Sequence, residues 1–338
     1  MKKVAKFIVF VIIIIAAFLG TFVYLVYFFT STDKKVVTEI PKGSGLKEIA
    51  LKLEKEGVIK NDELFIVYVF IKDYESRLRA GEYEFQTGYS LSQVVEKLVR
   101  GDVIVRQITI PEGFTVSEIG NLLEQRDVMS KEAFFRKAYD SEFAKELLGD
   151  PISSFEGYLF PDTYSYTKGI TPEELIRTMI SRFRKVYASL KAQAKKEPNL
   201  TDHEIITLAS IVEKETGDAS ERPLISAVFH NRLKYGMRLD SDPTVIYGLG
   251  DSFDGNLTKK DLRTENNYNT YRIVGLPPGP IANPGKESIQ AAMSPAQVDY
   301  LYFVSKGDGT HEFSTSYRNH QSAVIKYQKR RGITEKKR

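Results

Sequence analysis

Residues 201–217, TDHEIITLASIVEKETG, read as a single buried helix that ends in two carboxylates. Thr201 and Glu204 make a capping box at its start, and Gly217 stands where a helix C-terminus favours a residue of positive φ. At about 100° per residue, Ile205, Ile206, Leu208, Ala209, Ile211 and Val212 cover a wide apolar arc, while His203, Thr207, Ser210 and Lys214 cluster opposite. Most of such a helix must be buried. Glu213 and Glu215 fall on the two flanks of the arc, about 200° apart, so they cannot work as a close acid and nucleophile pair. Glu215 lies in the last turn, where the carbonyl end of the helix and partial desolvation both disfavour a carboxylate and raise its pKa towards that of a general acid. Carboxylates at a helix end are also what an ordinary solvated terminus carries, so position alone leaves both readings open.

Ahead of this helix the chain repeats itself at an offset of 70 residues. Ile40-Pro41-Lys42-Gly43 returns as Ile110-Pro111-Glu112-Gly113, and Glu48, Ile49, Leu53, Glu54 and Val58 match Glu118, Ile119, Leu123, Glu124 and Val128. Each copy predicts a short strand, a turn and an amphipathic helix, with Thr115 and Glu118 capping the second. A related unit spans residues 87–99, where Ser90 and Gln93 supply the cap, and Gly81-Glu82-Tyr83-Glu84-Phe85 and Val103-Ile104-Val105 read as strands. Residues 130–196 turn helical, with Thr171, Pro172 and Glu174 opening a long helix to about Lys195. The aromatic run 156–164 inside that stretch reads as an ordered loop. After residue 217, Ser220 is placed to cap a second helix carrying Leu224, Ala227, Val228 and Leu233. Loops then follow at 240–244, 268–271 and 275–279, and residues 300–304 and 311–314 around Gly307-Asp308-Gly309 close the chain as a hairpin.

At the N-terminus Lys2, Lys3 and Lys6 precede an uncharged apolar run over residues 7–29, long enough as a helix to span a bilayer at about 1.5 Å per residue. No small-residue cleavage site follows it, so it reads as an uncleaved signal anchor with a cytoplasmic N-terminus at 1–6 and the body outside. The formal charge of +4 is concentrated at the ends: residues 326–338 hold seven basic residues and one acid, and between the basic ends the body carries −6. That balance argues against nucleic acid as the main ligand. The chain has no cysteine, which excludes disulfides, thiol catalysis and thiolate metal sites. Its four histidines show no metal-ligand spacing, so neither a metal nor another cofactor is expected.

No Gly-rich phosphate loop and no Gly-x-Ser-x-Gly elbow is present. A carbohydrate site without Trp would stack sugars on Tyr and bond them through Asn, Asp and Thr, and the 240–285 loops hold that mixture. Tyr247, Asn269 and Tyr271 are candidate lining residues, while Asn231 and Arg232 either join them or brace the second helix. A glycosidase normally needs two carboxylates. Asp240 or Asp242 could fold onto Glu215 as the second, so a two-carboxylate hydrolase stays open, but one acid suffices if the sugar brings its own nucleophiles.

The ordered string Ala209-Ser210-Ile211-Val212-Glu213-Lys214-Glu215-Thr216, Ser220-Glu221-Arg222, Asn231-Arg232-Leu233, Asp242-Pro243-Thr244, Tyr268-Asn269-Thr270-Tyr271 and Gly275-Leu276-Pro277-Pro278-Gly279 closely resembles the endolytic murein transglycosylases (MltG, YceG-like). Glu156-Gly157, Phe160-Pro161-Asp162-Thr163 and the hairpin around His311 and Phe313 extend the likeness over the whole chain. The resemblance implies an α+β chain: one transmembrane helix at 7–29, a small LysM-like β-α module at 36–106, a helix-rich α+β catalytic domain at 107–325, and a basic tail at 326–338. It implies a lyase that cuts nascent peptidoglycan strands between N-acetylmuramic acid and N-acetylglucosamine, leaving 1,6-anhydro ends and so terminating elongation, with Glu215 catalytic. Glu213 becomes a supporting, ion-pairing residue, and Glu213, Asn231, Arg232, Asp242, Tyr247, Asn269 and Tyr271 are candidates for binding substrate. The implied setting is the bacterial cytoplasmic membrane, single-pass, with glycan strands and peptidoglycan synthases as partners. The competing readings are a wall-binding scaffold without catalysis and a two-carboxylate muramidase.

Overall fold

The computed structural model describes residues 2–27, 34–86, 88–149, 152, 154–194 and 199–329. It is a mixed α+β chain of two compact units, one reaching to Gln107 and taking back Ser165–Gly169, the other holding Ile108–Tyr164 and the described residues from Ile170 onward.

The first unit begins with α1 (Lys2–Tyr27), whose segment Val4–Tyr27 is long and apolar enough to cross a membrane. Phe28 and Phe29, the end of the predicted span, lie outside the described residues. β1 (Lys35–Ile40), α2 (Leu46–Lys55), α3 (Asp62–Ile71), β2 (Gly81–Gln86) and α4 (Leu91–Arg100) follow. β1 and β2 pair antiparallel, Lys35 opposite Gln86 and Ile40 opposite Gly81. Their inward side chains meet the helices in a core that includes Leu53, Phe65, Tyr83, Phe85 and Leu98, and Val26 from the end of α1 is buried in it. Lys168, from the returning segment, bonds Glu39 Oε2 at 2.8 Å. The predicted Ser90–Gln93 box caps α4. Residues 103–105 are not a strand. The left-handed Gly101 (φ 73°) that ends α4 turns the chain, Val103 and Ile104 give their N–H groups to the Gly101 and Glu82 carbonyls, and the ladder starts only at Arg106.

The chain changes unit within β3 (Arg106–Thr109), continues through α5 (Val116–Gln125), α6 (Lys131–Ala138) and α7 (Ser141–Leu148), and changes unit again within β4 (Thr163–Tyr166). Then come α8 (Pro172–Gln193), α9 (Asp202–Glu215), α10 (Arg222–Lys234), α11 (Asp242–Leu249), α12 (Lys286–Met293), the antiparallel hairpin β5 (Tyr302–Ser305) and β6 (His311–Ser314), and α13 (Tyr317–Val324), which runs into a π turn at Ile325–Lys329. The repeat is a structural one. Gly43 and Gly113 both take positive φ (87° and 75°) in the turn, and Ile49, Leu53, Ile119 and Leu123 are all buried. It extends one helix further than predicted, since α3 and α6 are capped by Asn61 and Ser130 and bury Phe65 and Phe134 four residues later.

α9 is the core of the second unit and packs on α10 and α12. Its Thr201–Glu204 capping box is present, but its far side is not polar surface: Thr207 and Ser210 are buried. Their hydroxyls are satisfied inside the helix by the His203 and Thr207 carbonyls, and Ser210 Oγ also accepts the Ile281 N–H. Gly217 is not the left-handed cap. Thr216, extended at φ −142°, carries the chain straight out, and its hydroxyl accepts the Asp218 N–H. Nor does Ser220 cap α10; it turns back to the Asp218 carboxylate, and Glu221 takes the N-cap position. Residues 242–244, predicted as loop, open α11, because Pro243 fits the first turn of a helix, which needs no N–H from it. α8 ends at Gln193, and its predicted end, Lys195, lies outside the described residues, as does the tail from residue 330. The hairpin pairs from Tyr302 instead of Tyr300.

Candidate active site

Glu215 ends α9 partly buried, and the Ser241 hydroxyl is donated to its Oε1. Ser241 is only 1 % exposed and firmly held. Its N–H goes to Thr270 Oγ1 (2.9 Å), its carbonyl accepts the Thr244 hydroxyl (2.7 Å), and Thr244 and Thr270 bond each other at 2.8 Å. It occupies the N-cap of α11, where a serine oxygen ordinarily accepts a helix N–H, yet it makes no such bond. Beside it, Asp242 Oδ1 accepts the Tyr271 hydroxyl at 2.7 Å. Burial raises the pKa of Glu215 and the Asp242 charge pushes the same way, while the Ser241 bond and the Arg232 charge pull it down; the balance is about 7. A carboxyl poised there can both give and take a proton at neutral pH.

Glu156 forms a second buried carboxyl centre. Val116, the first residue of α5, gives its N–H to both oxygens (3.1 and 3.2 Å), Asn283 Nδ2 reaches Oε1 at 3.2 Å, and the Tyr247 hydroxyl reaches Oε2 at 3.3 Å. Burial outweighs these donors and pushes its pKa up to about 8. Asn283 ties the surroundings together, accepting the Leu159 N–H at 2.9 Å and giving its Nδ2 to the Phe114 carbonyl at 2.8 Å. Gly157 next to Glu156 takes φ 87°, and a Cβ there would lie 2.4 Å from Pro280 Cγ and 2.9 Å from Ile206 Cγ2. Only glycine lets the loop lie this close to α9.

The other predicted residues divide by role. Glu213 is buried in an ion pair with Arg222 (3.2 Å) and accepts the Gly285 N–H (2.9 Å), which joins the end of α9 to the starts of α10 and α12. Arg232 gives Nε to the Leu301 carbonyl and Nη1 to the Leu239 carbonyl and Asp240 (2.7, 2.8 and 3.1 Å); Asn231 bonds the Val298 and Tyr300 carbonyls. Both brace α10 against the closing hairpin and the 238–240 turn, and Arg232 reaches Glu215 only through its field. Asn269 is buried, its amide on the Thr264 carbonyl at 2.7 Å and its Oδ1 on the Tyr271 N–H at 3.0 Å. Tyr247 packs on Tyr268 with ring centres 4.8 Å apart. Asp242 and Tyr271 are thus the predicted residues gathered at Glu215, while Tyr247 belongs to the Glu156 centre. Among the described residues, no group of three or more His, Asp or Glu side chains is gathered as a cation would need.

The model of the YceG-like family matches residues 38–326 of this chain. The chain belongs to the YceG-like family. It is 36 % identical over 303 residues to an endolytic murein transglycosylase of Bacillus subtilis (strain 168), covering 85 % of this chain and 83 % of that one. The Streptococcus pneumoniae (strain R6) protein of the same name is 32 % identical over 88 % of this chain, which spans 59 % of that longer protein. A crystal structure of a YceG-like protein from Listeria monocytogenes superposes with a TM-score of 0.58 at 34 % identity, covering 86 % of this chain and all of that one. In this family member three residues of the polar network were not singled out from the sequence. Glu156 carried a signal, as the one charge in the otherwise apolar and turn-forming run from Phe155 to Pro161. Asn283 stood in an Asn-Pro turn, and Ser241, between two aspartates, gave no sign that its hydroxyl is spent on Glu215.

Proposed function

We propose that this chain is a membrane-anchored lytic transglycosylase of peptidoglycan in which Glu215 serves first as acid and then as base. The observation that carries the reading is the Glu215 carboxyl, partly buried, gripped at Oε1 by Ser241 and poised near neutrality at about 7. With Oε1 engaged, Oε2 carries the proton. It passes to the oxygen that links N-acetylmuramic acid to N-acetylglucosamine, and the C1–O bond breaks as the muramyl acetamide oxygen supports the electron-poor C1. The muramyl 6-hydroxyl then bonds to C1 and its proton goes to the Glu215 carboxylate, which restores the acid. No water is consumed and the product carries a 1,6-anhydro ring. The Asp242 carboxylate, held by Tyr271, lends negative potential to the cationic centre. α1 anchors the chain with its N-terminus in the cytoplasm, the first unit acts as a LysM-like module that grips glycan, and peptidoglycan synthases supply the strand.

Asp242 also favours a second reading, since its charge is felt by Glu215 as the second carboxylate of a hydrolase would be. Mass spectrometry of digested glycan strands separates the two, because hydrolysis adds one water to the product and transglycosylation adds none. Glu215→Gln should lower release of anhydro-ended fragments on the order of 10³-fold with an unchanged circular dichroism spectrum. Undiminished release from that variant would overturn the proposal, and so would hydrated ends from the wild type.

A further inference from the structure

Asp240 stands between the buried guanidinium of Arg232 and the serine that grips Glu215. Its backbone is left-handed, at φ 50°. Asp73 and Asp127 share that conformation, but each closes a helix end, giving its N–H back to the Phe70 and Glu124 carbonyls. Asp240 closes none: α10 ends at Lys234, and the Asp240 N–H goes to the Thr270 carbonyl at 3.3 Å. The positive φ turns the chain between two buried residues, Leu239 and Ser241, through a region that aspartate enters more readily than alanine.

The side chain has a second task. Arg232 is 9 % exposed, and among the described residues the carboxylate that pairs with it is Asp240, Nη1 to Oδ2 at 3.1 Å. Its other bonds go to the neutral carbonyls of Leu301, Arg238 and Leu239, and it lies 5.4 Å from the Tyr302 ring. A buried cation with carbonyl partners alone keeps its full charge, and Glu215 lies in its field. Asp242 and Tyr271 also face Glu215. The remaining charges nearby are engaged elsewhere. On α9, Glu213 pairs with Arg222 of α10 and Lys214 bonds the Gly113 carbonyl. His230 of α10 bonds the Ala292 carbonyl, Glu287 of α12 faces Glu112, Lys234 and Lys286 are exposed, and Arg238 faces Asp240 itself.

We propose that Asp240 is a positioning residue of the Glu215 centre: its left-handed backbone sets the Ser241 hydroxyl on Glu215, and its carboxylate cancels the Arg232 charge there. The inference rests on Glu215 being the acid of the proposed cleavage. Without the Asp240 carboxylate the unopposed guanidinium favours ionised Glu215, so the acid form is lost at lower pH.

Full-length chains carrying Asp240→Asn, Asp240→Gly and Asp240→Ala, in detergent micelles, separate the two tasks. Glu215 is titrated by carbon-13 NMR of labelled glutamate carboxyls, its signal assigned by its loss in Glu215→Gln. Asparagine keeps the tolerance of positive φ and removes the charge. In Asp240→Asn the Glu215 titration and the alkaline limb of the cleavage rate should both move down by about half a pH unit or more, which a merely structural role would not produce. Glycine and alanine both lack the carboxylate and differ in their tolerance of positive φ. Below the alkaline limb, Asp240→Ala should therefore cleave several-fold more slowly than Asp240→Gly. An unmoved Glu215 titration in Asp240→Asn would overturn the charge role, and equal rates in the glycine and alanine variants would overturn the backbone role. A wild type that releases no anhydro-ended product would overturn the proposed cleavage instead, while the titration still decides what the Asp240 charge does.

Discussion

Ser241 gives its hydroxyl to Glu215 although the N-cap of α11 has a use for it, and this diversion fixes the sign of a titration. The bond favours the charged carboxylate, so Ser241→Ala should let Glu215 keep its proton to higher pH. Under the proposed mechanism the alkaline limb of the cleavage rate should lie near pH 7 in the wild type and move upward in the variant, while the rate at pH 6 falls about tenfold through lost orientation; rate–pH profiles of the two proteins decide it. Glu156 governs stability in the opposite sense to a salt-bridged acid. Folded, it holds its proton to about pH 8, whereas unfolded it releases it near 4.5. Stability should therefore decline as pH rises through that window, at up to about 1.4 kcal/mol per pH unit. Glu156→Gln keeps the shape and removes the proton, so its melting temperature should match the wild type near pH 5 and exceed it near pH 8. Of these residues, Glu215 could be singled out as a candidate from its place at the end of a helix and from the resemblance. Ser241 and Glu156 could not, because their roles depend on partners 26 to 127 residues away.

At the scale of elements, what could be read was what is local. Four capping boxes, at Ser90, Thr115, Thr171 and Thr201, stand where the sequence put them, since each is completed within three residues. Ends decided by distant or competing partners were misread: Thr216 leaves α9 without a glycine, Asp218 draws Ser220 away from the cap of α10, and Pro243 begins a helix in a stretch that looked like loop. The polar side of α9 failed for the same reason, because Ser210 finds the Ile281 N–H across the core. The loop that delivers Glu156 depends on close approach. Gly157→Ala combines a strained left-handed residue with a clash against Pro280 and Ile206, so it should cost about 3 kcal/mol or more in a urea titration. A loss below about 1 kcal/mol would mean that the loop can retreat from α9.

Across the whole molecule, α1 is more than a tether, since its last turns contribute Val26 to the core of the first unit. A chain beginning at Lys34 should leave the membrane fraction and also lose about 1.5–3 kcal/mol from that unit, measured by denaturant titration against a chain beginning at Gly20. Equal stability of the two would show that the core closes without α1. A boundary was expected between 106 and 107, next to the change of unit at Gln107; what stayed hidden, for a topological reason, is that Ser165–Gly169 returns to the first unit. Delivered from its N-terminus during synthesis, the chain presents α2, α3 and α4 long before Lys168 exists to meet Glu39. The core of the first unit lies wholly within residues 22–103, so it can close on itself before Ser165–Gly169 emerges. A product stalled short of residue 165 forgoes an exposed ion pair but keeps that core, leaving its unfinished second unit as the part open to quality-control proteases.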